Sequence, residues 1–102
     1  MALLVVVYKT PKSAEAFNAY YFSKHVPLAK AMPGLRSYTV NEGPVGMPID
    51  PGAVHLVALL EFDSREAINA ARASAEGQAA AADVRNFADG GADVFVFDTR
   101  KV

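Results

Sequence analysis

The sequence contains no cysteine and no tryptophan. The absence of thiols excludes a disulfide framework, a thiolate nucleophile and a cysteine-based metal site. The two histidines, His25 and His55, are far apart in the sequence and give a metal ion little to bind. We therefore expect neither a metal nor a cofactor.

Neither sign of charge is in excess, and no apolar run is long. The 10 lysine and arginine residues nearly balance 11 aspartate and glutamate residues, giving a net charge of −1. This balance argues against the basic face that nucleic-acid binding requires. The apolar run Leu3–Val7 is too short to cross a membrane and has no charged segment before it. The sequence thus predicts a cytoplasmic protein that binds neither nucleic acid nor membrane.

The length and overall composition indicate one globular domain. Of the 102 residues, 52% are hydrophobic and 21% are charged, which is the balance of an ordinary folded protein. We expect a single domain over residues 1–102. A chain this short buries only a modest core, which favours association with a second copy.

The hydrophobic patterns predict four strands and several helical segments. Strands are indicated by alternation or by runs of branched apolar residues, and helices by apolar residues three and four positions apart. The glycine- and proline-rich segment Gly43–Gly52 is a loop that either joins two strands or closes over a cavity. The predicted elements are strand Ala2–Tyr8, helix Ser13–His25, short helix Leu28–Met32, strand Leu35–Glu42, strand Ala53–Phe62, helix Arg65–Arg72, helix Gln78–Phe87 and strand Ala92–Thr99.

Two points in the helical regions are predicted to interrupt the helices. Pro27 disfavours helical geometry at the residue before it, so we place a break at Val26. In the second helical region, Ser74 or Gly77 is expected to separate the two helices.

The order strand, helix, strand, strand, helix, strand predicts an α+β fold of the ferredoxin-like βαββαβ type. Right-handed crossovers place both helical regions on one face of a four-stranded antiparallel sheet. However, three of the strands are apolar on both faces, so the other face of the sheet would be left as a large exposed apolar patch. We therefore predict a homodimer in which two sheets pack face to face and enclose a barrel-like interior.

Several motifs resemble those of a known family. An aromatic- and histidine-containing stretch is followed by a proline–glycine turn, and a second motif lies near the end of the second helical region. The stretches are Tyr8–Pro11, Tyr20-Tyr21, His25–Ala29, Met32–Tyr38, Ser74–Gln78 and Asp83–Asp89. Together they resemble the EthD family of dimeric α/β-barrel proteins, and the similarity extends over most of the chain.

The resemblance implies a ferredoxin-like fold, a dimeric barrel and a range of possible reactions. Relatives include cofactor-free isomerases of methylated muconolactones and dehydratases or cyclases of polyketide pathways. In the isomerases, a histidine at the end of the first helix and a tyrosine on the second strand belong to the active site. His25 and Tyr38 fall on these positions, and His55 corresponds to a histidine on the third strand. The isomerases also use a cysteine, whose absence here argues against methylmuconolactone isomerisation itself.

His25 and Tyr38 are the candidate catalytic residues. An imidazole has a pKa of roughly 6.5, so it can both accept and donate a proton near neutrality. The alternative for His25 is a cap on the last carbonyl groups of the first helix. Tyr38 can donate a hydrogen bond to an enolate or phenolate oxygen, or it can simply pack within the barrel.

Four further residues are candidate substrate-binding residues. Tyr20 and Tyr21 belong to an aromatic group that either forms core and interface or lines a flat pocket. Arg36 can pair with a substrate carboxylate, although a surface position is the commoner case. His55 lies on a mostly apolar strand face, where it either reaches the rim of the pocket or is hydrogen-bonded as a structural residue.

Asp83, Asn86 and Asp89 form a polar set at the end of the second helical region. We expect mainly a structural role for them, in capping the helix and fixing the turn into the last strand. The alternative is that Asp83 orients His25 and stabilises the charged form of its imidazole.

Three functions are compatible with these features. The first is a small cofactor-independent enzyme that shifts a proton, isomerises or eliminates water on a hydrophobic, oxygenated ring or lactone. The second is a non-catalytic protein that binds a hydrophobic small molecule or serves as an accessory subunit of an oxygenase. The third is a cofactor-free monooxygenase acting on an electron-rich phenol.

Overall fold

A four-stranded antiparallel sheet carries the helices on one face in the computed structural model, which describes residues 1–102. The strand order is β2-β3-β1-β4. The predicted ferredoxin-like α+β fold is therefore confirmed. The elements are β1 Ala2–Lys9, α1 Ala14–Tyr20, a π-helical segment Tyr21–His25, α2 Val26–Lys30, β2 Ser37–Val40, β3 Val54–Phe62, α3 Arg65–Ala73, α4 Ala75–Asp83, a 3₁₀ turn Val84–Asn86 and β4 Ala92–Asp98.

The core lies between the sheet and the helices. The pairing register places Leu4 of β1 between Leu60 of β3 and Val96 of β4. Along β3, Leu56, Ala58, Leu60 and Phe62 are all buried, as the apolar alternation of this strand predicts. These side chains pack beneath the helices with Phe17 and Ile68.

The other face of the sheet has no layer over it within one chain. Val5 of β1 lies between Leu59 of β3 and Phe95 of β4 in the register, and the next row includes Phe97. Leu59, Phe95 and Phe97 are 39%, 51% and 41% exposed, respectively. The molecule is only 18 Å across its shortest axis, which is the thickness of one sheet and one helical layer. The homodimer through this face stays a prediction.

The predicted break at Val26 is wrong, because the chain passes through this position in helical geometry. Val26 has φ −56° and ψ −46°, and its N–H donates to the carbonyl of Tyr21. This bond spans five residues and belongs to the π-helical segment. Pro27 then stands in the first turn of α2, where a missing N–H costs little. A widened turn thus accommodates the proline without ending the helix.

Ser74 forms the junction between α3 and α4. It caps the end of α3, and its side chain accepts a hydrogen bond from the N–H of Gly77 at the start of α4. A Cβ at Gly77 would overlap the carbonyl oxygen of Ala71, so only glycine permits this close approach. The interruption expected at Ser74 or Gly77 occurs at Ser74, and α4 begins at Ala75, earlier than the predicted Gln78.

Strand β2 is shorter than the predicted Leu35–Glu42 because a side chain replaces the backbone ladder at its end. The Asn41 side chain accepts a hydrogen bond from the N–H of Val57 and donates one to the carbonyl of Gly43, at 2.8 Å in each case. Asn41 thereby directs the chain out of the sheet and into the loop before β3.

None of the helices combines the length and apolar character needed to span a bilayer.

Candidate active site

A cavity of about 220 Å³ lies between the sheet and the helices. Its polar side chains are those of Tyr8, Tyr21, His25, Tyr38 and Arg72. Apart from one glycine, all its other lining residues are alanine, valine, leucine or methionine. An engineered apolar cavity of about 150 Å³ binds benzene. The cavity in this chain is therefore large enough for a ring compound with small substituents.

His25 reaches this cavity from the end of the π-helical segment and is only 5% exposed. Its Nδ1 lies 3.0 Å from Oδ2 of Asp83, which is 7% exposed at the end of α4. The widened turn before His25 changes the direction in which its side chain leaves the helix, as π-bulges at functional sites commonly do. The structure thus forms a buried histidine–carboxylate pair from residues that are far apart in the sequence.

Asp83 is the centre of a hydrogen-bond network. Its Oδ1 accepts a 2.6 Å bond from the Tyr20 hydroxyl and a 2.9 Å bond from Nδ2 of Asn86. Burial raises the pKa of the Asp83 carboxyl, but the bonds from Tyr20, Asn86 and His25 outweigh it and lower the pKa below its usual value. The carboxylate is therefore ionised at neutral pH.

The His25 imidazole is neutral at the same pH. Burial lowers its pKa below 6.5, and the hydrogen bond and charge of Asp83 oppose this shift only in part. Because an ionised Asp83 can only accept, the hydrogen-bond network assigns the ring proton to Nδ1. Nε2 then carries the lone pair and has no protein partner. This is the tautomer that can remove a proton from a bound molecule.

Three tyrosine hydroxyls accompany His25 in the cavity lining. The hydroxyls of Tyr21 and Tyr38 lie 2.5 Å apart. Burial raises the pKa values of Tyr8, Tyr21 and Tyr38, so all three phenols keep their protons at neutral pH. The Tyr21–Tyr38 bond uses one of their two hydrogens and leaves the other free, and the Tyr8 hydroxyl has no hydrogen-bond partner. The cavity thus offers two hydroxyl hydrogens to an oxygen atom of a ligand.

Aromatic packing fixes the position of the imidazole. The centroid of the His25 ring lies 4.8 Å from that of Phe87 and 5.3 Å from that of Tyr21. Tyr8 packs against Phe87 and Tyr21 at 5.4 Å and 5.6 Å. Such contacts add to the burial energy of each ring. They restrict His25 to one orientation before any ligand binds.

The structure places three of the six sequence-predicted site residues in the cavity lining. His25, Tyr21 and Tyr38 line the cavity, whereas Tyr20 acts behind it through its bond to Asp83. The other two candidates lie outside the cavity. Asp83 has both of the roles considered for it: its bond to His25 orients the imidazole, and its bond from Asn86 holds the end of α4.

Arg36 and His55 have partners elsewhere. Arg36 forms two 2.9 Å bonds to the carboxylate of Asp63 on the surface. His55 Nε2 lies 2.8 Å from the Asn18 side-chain oxygen, and its ring packs edge-on against Phe17. Both residues thus have structural contacts, and their assignment to substrate binding stays a prediction.

Two polar residues of the cavity lining were not identified from the sequence. Tyr8 is the next-to-last residue of β1, and its hydroxyl is the only polar side-chain group on the helix-facing side of this strand. A single polar side chain on an otherwise apolar strand face could have identified Tyr8 as a cavity residue. No sequence pattern indicated Arg72, because an arginine near the end of a helix is ordinarily exposed to solvent. No group of three or more histidine, aspartate or glutamate side chains is placed so that it could hold a metal ion.

Comparisons with known proteins identify the family of this chain. The family model of the EthD domain matches residues 9–91. The chain belongs to the EthD family. An uncharacterised 11.0 kDa protein of Rhodococcus erythropolis, from the thcB-thcC intergenic region, is 36% identical over 102 residues, which cover 100% of this EthD chain and 98% of the relative.

Solved structures share the fold of this EthD protein. The crystal structure of an EthD family protein from Bacillus halodurans is 29% identical, with a TM-score of 0.88, over 98% of this chain and 99% of that one. SnoaB from Streptomyces nogalater, described as a cofactor-independent oxygenase, is 16% identical with a TM-score of 0.70, over 99% of this chain and 94% of its own. At that identity the likeness to SnoaB shows the fold alone.

Proposed function

We propose that this EthD protein is a cofactor-independent enzyme that moves a proton on a small, hydrophobic, oxygenated ring or lactone. The observation that carries the proposal is the His25–Asp83 pair, whose free Nε2 accompanies tyrosine hydroxyls in the lining of an apolar cavity. His25 is the base and then the acid. Tyr38 is the hydrogen-bond donor to the substrate oxygen, with Tyr21 as its partner.

The reaction begins when Nε2 of His25 takes a proton from a carbon next to the substrate carbonyl. The electron pair of the broken C–H bond moves to the carbonyl oxygen and forms an enolate, which accepts a hydrogen bond from Tyr38. Asp83 accepts the Nδ1 hydrogen throughout and stabilises the imidazolium. The imidazolium then returns the proton to the far carbon of a conjugated enolate, which is an isomerisation. Alternatively, the enolate collapses to a C=C bond while the C–O bond on the neighbouring carbon breaks, and the departing hydroxide takes the proton, which is a dehydration.

The apolar walls support this chemistry in two ways. They exclude water from the enolate, so that the hydrogen bonds of the tyrosines are stronger than they would be in bulk solvent. They also bind the hydrocarbon part of the substrate, because burial of apolar surface is favourable. A cavity of about 220 Å³ favours one ring, or two compact ones, over an extended polycyclic compound.

We also propose that the protein is a cytoplasmic homodimer. The row of Leu59, Val5 and Phe95 gives two sheets an apolar surface through which they can pack. Since the cavity lies on the opposite, helical side of the sheet, this association leaves it intact. Each subunit then carries its own site.

The test uses α-angelica lactone, whose isomerisation to the conjugated β-form requires only a proton shift. Its turnover is followed by ultraviolet absorbance and by deuterium incorporation in D₂O. We expect His25→Gln to lower the rate by about 10²- to 10⁴-fold, the usual contribution of a positioned acid–base group. His55→Gln is the matched control, because His55 lies outside the cavity, and it should retain activity.

Two other outcomes distinguish the alternative functions. If this lactone and cyclic ketones such as 3-cyclohexenone bind in the cavity but exchange no deuterium, the protein is a binder or an accessory subunit. If electron-rich phenols cause oxygen uptake that depends on His25, the protein is a cofactor-free monooxygenase in which the same base generates a phenolate. Equal turnover by the wild type and His25→Gln would refute the catalytic role of His25.

A further inference from the structure

Arg72 is the one permanent positive charge in the lining of the cavity. It stands in the last turn of α3 and is exposed, yet it borders the cavity together with the start of α4. The structure gives its guanidinium no ion pair and no hydrogen bond. Arg36, by contrast, donates from one edge of its guanidinium to both carboxylate oxygens of Asp63. Arg72 therefore has all its donors available.

The backbone of Arg72 is held in a fixed place by the junction of two helices. Ser74 ends α3 and begins α4 without a loop between them. A Cβ at Gly77 would lie 2.8 Å from the Cα of Arg72, which shows how closely the two helices approach. The stem of Arg72 thus starts from a rigid position beside the cavity, while its head remains free to meet a ligand.

We infer that Arg72 binds a carboxylate group of the substrate and selects anionic ring compounds over neutral ones. The inference rests on the proposed function and names its substrate class. A guanidinium presents two parallel N–H groups that match the two oxygens of a carboxylate. The other polar groups of the lining are the imidazole of His25 and tyrosine hydroxyls, which suit the carbonyl or phenol oxygen at the reacting end. The substrate is therefore a small oxygenated ring with an acid group away from the reacting carbon.

The alternative use of Arg72 is a solvated charge that covers the apolar rim with its methylene groups. The two uses predict different responses to ligand charge. The charge of a solvated rim arginine is screened by water and favours an anionic ligand only slightly, whereas a carboxylate-binding arginine discriminates strongly between the two. Discrimination between two ligands of the same shape is therefore the quantity to measure.

The experiment compares 4-hydroxybenzoate with its neutral isostere 4-hydroxybenzamide by NMR titration of the protein. For the wild type, we expect the benzoate to bind on the order of tenfold more tightly, the effect of one hydrogen bond to a charged group. Arg72→Gln should reduce this ratio to about one. Arg65→Gln makes the same change of charge on α3 but at a residue outside the cavity, and it should keep the ratio.

The outcomes separate this inference from the function on which it rests. Equal binding of the two compounds by the wild type, or an unchanged ratio in Arg72→Gln, would overturn the role of Arg72 and leave the His25 chemistry standing. Loss of the ratio in Arg65→Gln as well would show a general effect of charge and would also overturn it. If neither compound shifts the cavity resonances, the cavity is not a site for oxygenated rings, and both proposals fail.

Discussion

Replacement of Asp83 by asparagine tests the hydrogen-bond network on which the tautomer of His25 depends. The carboxylate accepts three bonds, two at Oδ1 from Tyr20 and Asn86 and one at Oδ2 from His25. An amide of the same shape has only one acceptor oxygen. If that oxygen takes the Oδ1 position, the amide NH₂ faces Nδ1 of His25, and the ring proton must move to Nε2. If the amide is rotated, its NH₂ faces the NH₂ of Asn86, and two donors oppose each other.

The magnitude differs between the two orientations. The rotated amide loses the bond from Asn86, whereas the first orientation keeps all three bonds and is therefore favoured, but its bonds no longer have a charged acceptor at a residue that is only 7% exposed. A hydrogen bond to a charged group contributes about 1.5–3 kcal/mol, against about 0.5–1.5 kcal/mol for a neutral one. A loss of about 2 kcal/mol lowers the Tm of a domain of this size by roughly 8–16 °C. We expect catalysis to decline by about 10³- to 10⁴-fold, because Nε2 becomes protonated and can no longer act as the base.

The assay combines two measurements. Thermal unfolding by far-ultraviolet circular dichroism gives the change in Tm, and long-range ¹⁵N–¹H NMR of the imidazole shows which ring nitrogen of His25 carries the proton. Asp89→Asn is the matched control: its carboxylate accepts one 3.2 Å bond from the N–H of Lys12 at an exposed position. The control should change stability by less than about 0.5 kcal/mol. An Asp83→Asn variant with unchanged Tm and with the proton still on Nδ1 would refute the reasoning.

Three further predictions concern acid, association and the helix junction. Burial lowers the pKa of His25 below its value in the unfolded chain, so unfolding takes up a proton. The free energy of unfolding should therefore fall by up to ~1.4 kcal/mol per pH unit as the pH drops below about 6.5. Urea titrations across pH should show this slope disappear in His25→Gln and persist in His55→Gln. Phe95→Glu should convert a dimer into a monomer in sedimentation equilibrium, because it places a charge on the apolar face, whereas a monomeric wild type would contradict the dimer. Gly77→Ala should lower stability by several kcal/mol in denaturant titrations, since its Cβ would overlap the last turn of α3, and an unchanged midpoint would contradict the close approach.

The fold could be predicted from the sequence because strand and helix periods were both clear. The alternation along β3 identified its buried face, which carries Leu56, Leu60 and Phe62. The failure at Val26 has a local cause. The local clash between a proline and the residue before it disfavours helical geometry without excluding it. The π-helical bond from Val26 to Tyr21 widens the turn and gives the proline ring room beside the carbonyl one turn earlier.

The site was predictable only in part, because its pairing is a tertiary property. His25 could be identified from its own chemistry, since few side chains titrate near neutrality. Its bond to Asp83 joins segments that meet only when α2 and α4 pack on the sheet. No local pattern distinguishes Asp83 from other carboxylates near helix ends. The position of Arg72 at the cavity could not be predicted for the same reason, because it depends on how closely α4 approaches α3.

The π-helical segment has a consequence for the evolution of this chain. Loss of one residue between Tyr21 and His25 would restore an ordinary α-helical turn and leave the segment helical. Because a π-helical turn absorbs one extra residue, the helical segments on either side would stay nearly in phase. The widened turn from which His25 leaves the helix would be lost, and with it the placement of His25 against Tyr21 and Asp83. Selection in this segment therefore acts on the number of residues as well as on their identity, and relatives with the same site should tolerate substitutions at Ser23 and Lys24 but not insertions or deletions.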